Sequence, residues 1–405
     1  MIMAVWAADE TSPAARAADL HREVTGHAPL RCASAPGTWV LIGENVDHFG
    51  GVTLLGLTSL RAAAAISPRE DDTISIELSG PDGYSISSTG TLEDLQEEGS
   101  LDRLTRRAVG LVSLLASRQV ISRDTRGLDI SLVTDILPGA GLGSLYAGDA
   151  ALALALAGGD PEVDDAPFRA RLAEICSHNV TVNSPLAVLR ARHTAALRGT
   201  SGTISVVDYA DGSVTQAPHP GKLGVRIFAV TESWGEPYDR QTQRIAERRA
   251  FIDAACANFG VDSLRQLPNA AERVVEWVEA RRQVNGPDSA PDPEAARSWV
   301  RFCETETMRS LATAKALRSR RDNELFTLLN SASEKHDLDT PDALVSDLLS
   351  RGARSARPAA AGNSPAALAF VPLREAEAFL RSAAADYEVV EVLPGEVARL
   401  EDAAE

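Results

Sequence analysis

Short apolar runs change period along this chain, from two to about 3.6 and back, and those changes mark its elements. Residues 40–42 read as a short strand that enters a loop at Gly43. Residues 61–66 and 73–78 read as strands joined by a Pro-Arg-Glu-Asp-Asp turn. Residues 101–115 carry helical spacing, with Val109, Val112 and Leu115 among the repeats. Residues 129–136 alternate as a strand and run into Pro138-Gly139-Ala140-Gly141-Leu142-Gly143. An alanine-rich apolar helix is expected over 144–156 and another helix over 168–175. Residues 203–207 alternate as a strand, closed by a turn at 208–212.

The pattern changes after about residue 220. A strand is expected at 226–230, then long amphipathic helices at 241–259 and 271–283. Gly286, Pro287, Pro291 and Pro293 make the clearest internal break. Helices resume over 295–317, 323–332 and 341–349. A loop at 358–365 precedes a strand at 366–371, a helix at 373–385 and a last strand at 388–392. Strands flank helices without a regular βαβ series, so the fold class is α+β. The 405 residues are long for one core, so two lobes are expected, 1–220 and 221–405.

Charge changes the picture of partners. The formal net charge of -17 disfavours nucleic acid and anionic membranes. Any phosphate site must therefore rely on local donors. Cys32, Cys176, Cys256 and Cys303 show no CxxC spacing and read as buried thiols. The first ten residues carry two acids and no long apolar segment, so neither a signal peptide nor a membrane span is expected. A cytoplasmic location follows as an expectation. The sequence does not identify a protein partner.

The clearest candidate chemistry lies in two loops. Gly139, Gly141 and Gly143, with Ser144 at a helix start, suit an anion cradle built from backbone N–H groups. They equally suit a plain glycine turn with a serine cap. No Lys-Ser/Thr pair closes the loop, and the ribose acid of a dinucleotide fingerprint is missing. The second loop is the run from Ala35 to Gly51, with Glu44 and Asp47 as paired acids on a tight turn.

Together these runs resemble the galactokinases of the GHMP kinase superfamily. Residues 35–51 resemble the signature whose usual form is APGRxNLIGEHTDYxGG, and residues 137–147, LPGAGLGSLYA, resemble the phosphate-binding loop. Residues 301–309, RFCETETMR, and residues 359–371 resemble two later motifs more weakly. The resemblance implies a two-lobed fold with the ligand cleft between lobes. It also implies ATP and Mg2+ as cofactors and galactose, or another sugar or small polar metabolite, as ligand.

Carried over position by position, the resemblance places Glu44, Asn45 and Asp47 at substrate contacts and Gly139, Gly141, Gly143 and Ser144 at the nucleotide. Thr38 stands where the family has an activating arginine, and Trp39 adds bulk beside it. Asn45 replaces a histidine. Leu145 replaces a serine that holds the metal, and Tyr146 replaces an alanine. Asp149 remains as a metal-holding acid or as an ion-paired helix acid. Arg192 stands at the catalytic aspartate and His193 beside it. Arginine is no base, because it stays protonated. His193 reads as a neutral-pH base or as an exposed helix residue. The resulting expectation is a galactokinase-like protein with impaired catalysis, repurposed for metabolite binding or regulation. The alternative is an active ATP-dependent kinase of galactose or a related small alcohol.

Overall fold

The computed structural model describes residues 5–6, 9–97, 99–185, 187–233, 239–331, 338, 340–360 and 364–402. The chain opens with β1 (Val5–Trp6) and α1 (Pro13–Thr25). Ser12 caps α1 by accepting from the Ala15 N–H at 3.2 Å. A long antiparallel pair follows, β2 (Arg31–Ile42) and β3 (Val52–Arg69). β4 (Ile74–Ser79), β5 (Ser85–Gly90), α2 (Arg103–Ser117) and β6 (Gly127–Thr134) complete the framework that receives the glycine loop.

Alanine is a helix former, yet residues 62–65 are all alanine inside β3. Helices on both faces of the sheet explain this, because only small side chains let them approach. Strand alternation sends Ala63 and Ala65 towards Ala17 of α1. It sends Ala64 to the opposite core, which is filled by α3 (Ser144–Ala157) and α4 (Ala166–Asn183). α3 is apolar on all sides and almost wholly buried. α5 (Arg190–Arg198), β7 (Thr203–Asp208) and β8 (Ser213–Pro218) follow. The first sheet runs β2-β3-β6-β4-β5, edged beside β2 by the last strand, residues 399–401, with β7 joining β3 at residues 52–56 and β8 pairing β7.

The remaining elements are β9 (Val225–Thr231), α6 (Asp239–Phe259), α7 (Ala270–Asn285), α8 (Pro293–Arg318), α9 (Asp322–Asn330) and α10 (Asp342–Ser350). They continue with β10 (Ser355–Pro358), β11 (Ala367–Pro372), α11 (Ala376–Ala383), β12 (Glu388–Glu391) and β13 (Arg399–Glu401). The second sheet runs β1-β12-β9-β11-β10. Each end of the chain thus joins the sheet of the other half: β1 pairs with β12, and β13 with β2. Along β9, Ile227 and Ala229 face a core shared with Trp39 and Ile42, while Phe228 and Val230 face α10 and α11.

The mixed helix-and-strand class agrees with the sequence reading. Elements not anticipated include β1, α1, β5, β8, β10 and β13. Residue 332 of the expected 323–332 helix and residues 361–363 of the 358–365 loop, including Gly362, lie outside the described residues. All four cysteines are buried and free. Among the described residues, no helix is long and apolar enough to cross a membrane.

Candidate functional site

The acidic loop is held from three sides. Val46 and Phe49 insert into the core made by α6, α7 and α8. Glu306 of α8 accepts from the Gly43 N–H at 3.3 Å, and Thr53 donates to the Gly43 carbonyl at 2.7 Å. Asn45 sits at φ 59, a left-handed turn conformation that asparagine tolerates. Asp47 is buried and accepts from Arg249 Nη2 at 3.2 Å. His48 donates from Nδ1 to Asp253 at 2.7 Å, so α6 grips two consecutive loop residues.

Glu44, Asn45 and Asp47 do come together, along one wall of a small cavity. Arg192, Leu55 and Tyr209 line the other side. The cavity volume is about 10 Å³, enough for about one water. Ligand pockets for small molecules run at about 300–1,000 Å³. The Tyr209 hydroxyl stays protonated, because burial and then the Asp47 charge push its pKa up.

Arg192 occupies the junction of the two loops. Its side chain is almost fully buried. Nη1 donates to the Thr38 carbonyl and, at 3.3 Å, to Thr38 Oγ1. Nη2 donates to the Gly141 carbonyl at 2.9 Å and lies 4.0 Å from Glu44 Oε1. Burial pulls the Arg192 pKa down, and Glu44 opposes that pull. Arginine starts from so high a value that the guanidinium keeps its charge.

The glycine loop has the backbone of a cradle. Gly139, Gly141 and Gly143 all have positive φ, at 79°, 72° and 72°. A Cβ on Gly141 would lie 2.4 Å from Ala359 Cβ, and one on Gly143 would lie 2.9 Å from Arg192 Nη1. α3 then starts at Ser144 with no side-chain cap on its free N–H groups. Leu145 is 38% exposed beside them. Ser364 donates to the Gly139 carbonyl, tying the later loop to this one.

Asp149 takes the ion-paired place that the sequence left open. Asp149 is the lone acid on apolar α3, so its burial demands partners. Arg107 of α2 supplies a bidentate pair, Nε to Oδ1 at 2.8 Å and Nη2 to Oδ2 at 2.7 Å. His193 Nε2 adds a contact to Oδ2 at 3.1 Å, and its Nδ1 meets Ser177 Oγ at 3.0 Å. Burial opposes the Asp149 charge, but Arg107 and His193 outweigh it and hold the pKa below the usual carboxylate value. Burial lowers the His193 pKa. His193 is fully buried, not exposed, and its ring nitrogens meet Asp149 and Ser177.

Among the described residues, the two at the expected metal positions do not fit Mg2+, which wants oxygen ligands. Leu145 offers none. The Asp149 oxygens are committed to Arg107 and His193, and the Arg107 guanidinium beside them repels a cation. Among the described residues, no group of three or more His, Cys, Asp or Glu is placed to hold a metal.

Trp39 and Tyr146 both turn inward. Strand alternation turns Thr38 to the cleft and Trp39 to the core, where it packs on Phe370 and His219. Tyr146 turns inward, donates to the Ala187 carbonyl at 3.2 Å and accepts from the Leu189 N–H at 3.0 Å. Neither ring fills the cradle. Sequence reasoning missed Arg107, Tyr209, Arg249 and Arg357. Arg249 shares a helical stripe with buried Ile245, Ile252 and Cys256. A charge in an apolar stripe is the signal that would have found it. Beside the loop, a groove of about 730 Å³ runs from His48 and Arg249 past Arg190 to Arg171 and Arg118.

Known proteins support the same region. A family profile described as the galactokinase galactose-binding signature matches residues 19–68. The galactokinase of Streptomyces coelicolor (strain ATCC BAA-471 / A3(2) / M145) is 29% identical over 272 residues, covering 65% of this chain and 67% of that protein. The crystal structure of Lactococcus lactis galactokinase complexed with galactose aligns with a TM-score of 0.72 at 17% identity, covering 95% of this chain and 99% of that one. Mevalonate kinase of Methanococcus jannaschii aligns with a TM-score of 0.50 at 12% identity, covering 92% and 98%.

Proposed function

We propose that this chain, which is galactokinase-like and has the GHMP kinase fold, binds nucleotide phosphates and a small polar metabolite without ordinary galactose 1-phosphorylation. It serves metabolite binding or regulation in this reading, with the cleft between lobes of about 1–220 and 221–405. One observation carries it. The Arg192 guanidinium lies between Thr38, Gly141 and Glu44, where the resemblance puts the catalytic aspartate. Arginine accepts no proton there. Loss of a single electrostatic contact commonly costs about 2.7–4 kcal/mol of transition-state stabilisation. The open space beside the loop is the groove, not the cavity over Glu44. Arg118, Arg171 and Arg190 give that groove a local positive field in an acidic chain, which suits an anionic metabolite.

Calorimetry tests this with ATP and galactose titrated separately. Binding of ATP with no heat from galactose is expected. Micromolar galactose binding would contradict it.

The second reading is an active kinase acting on galactose or a related alcohol. Its support is the intact Glu44–Asp47 loop inside the matched signature. Phosphoryl transfer also draws mainly on positioning and charge, which Arg192 could supply without a base. Sugar-dependent ADP release separates the two readings.

A further inference from the structure

The glycine loop keeps its shape, but the residues expected to hold its metal have other partners. Leu145 has no oxygen, and Asp149 is paired with Arg107 and His193. A fixed organic cation lies nearby instead. Arg192 Nη2 donates to the Gly141 carbonyl, and Nη1 lies 2.9 Å from the point a Gly143 Cβ would occupy. The charge therefore lies against the backbone that enters α3.

We infer that this cleft holds nucleotide phosphates without a divalent cation, the compensating charge coming from Arg192. The inference rests on the nucleotide reading above. It goes beyond that reading by assigning the source of charge.

A charge count around the site supports it. Arg309 Nη1 pairs with Glu306 Oε2 at 2.6 Å, and Arg357 Nη2 lies 3.5 Å from Glu306 Oε1. Arg192 lies 4.0 Å from Glu44. Among the described residues, three guanidiniums thus meet two carboxylates, which leaves one positive charge over. Arg357 belongs to β10, just before Ala359, the residue that touches Gly141. The surplus charge therefore sits beside the glycine loop. In a low-dielectric site such a charge attracts phosphate strongly. A guanidinium needs no coordination sphere, so Arg192 acts through its charge while its donors stay on Thr38 and Gly141. Free ATP carries more negative charge than its magnesium complex, so it is the better partner for Arg192.

Calorimetry on the full chain tests this with ATP in EDTA and ATP in excess MgCl2. Wild type, Arg192→Lys and Arg192→Gln are compared, with thermal melts reporting whether each is folded. The expected Kd in EDTA equals or is lower than that in MgCl2. Arg192→Gln weakens ATP at least tenfold in both buffers, and Arg192→Lys retains most of the affinity. Wild-type binding that requires Mg2+ overturns the inference and leaves the nucleotide reading standing. Absence of ATP binding in both buffers overturns both. A folded Arg192→Gln protein that binds like wild type overturns the assignment to Arg192. If Arg192→Gln fails to fold, the Lys variant and the wild-type buffer comparison decide.

Discussion

Arg192 Nη1 donates to Thr38 Oγ1 at 3.3 Å, across the join between α5 and β2. These two positions face each other, and the positive charge comes from the α5 side. The resemblance places an arginine at 38 and an acid at 192. Here the charge stands at 192 and a hydroxyl at 38.

This arrangement predicts a non-additive cycle. Thr38→Arg alone brings two guanidiniums together and destabilises the fold. Arg192→Asp alone leaves a buried carboxylate beside Glu44 and does the same. The double variant restores an opposite-charge pair. Its urea stability is expected to exceed the sum of the single effects by about 1–3 kcal/mol.

Asp149→Asn is expected to lower stability by about 3–5 kcal/mol, because it strands the buried Arg107 charge. Urea denaturation reads this directly. Titration with Mg2+ should show no difference between variant and wild type, since Asp149 holds Arg107 and not a metal.

Gly141→Ala is expected to cost about 1–3 kcal/mol. Its φ is 72°, and the new Cβ would lie 2.4 Å from Ala359 Cβ. ATP affinity should fall with it, because the loop and Ala359 must move apart. A thermal melt and a calorimetric titration check the two effects separately.

His219 should give the fold an acid limb. Burial, aided by Lys222, lowers its pKa to about 4 from the ordinary 6.5. Its Nδ1 accepts from the Gly221 N–H at 3.0 Å, which requires that nitrogen unprotonated. Above pH 6.5 both folded and unfolded states are neutral there, so the contribution is fully present. As pH falls towards 4 the unfolded state binds the proton first, and stability drops by about 3 kcal/mol in all. His219→Asn keeps an acceptor and removes the titration. Its denaturation midpoints should therefore fall less than those of wild type between pH 6.5 and 4.

Much of this was legible along the chain, for physical reasons that differ by residue. The glycine loop and α3 were readable because Gly141 and Gly143 precede a long apolar run with Ser144 at its start. The place of the Trp39 ring was not legible, because the core that receives it behind β2 comes from the distant strands β9 and β11. Asp149 kept two readings open in the sequence. Only the packing of α2 and α5 on α3 brings Arg107 and His193 to it. Tyr209 and Arg249 reach Asp47 through contacts far apart in sequence, which local periodicity does not encode.

In the proposed reading, Arg192 displaces the chemistry of galactose phosphorylation while the glycine loop still serves a nucleotide. A coupled ADP-release assay with ATP, Mg2+ and galactose tests it most directly. The expected rate with galactose equals the rate without it. Galactose-dependent ADP release that Asp47→Ala abolishes would contradict it.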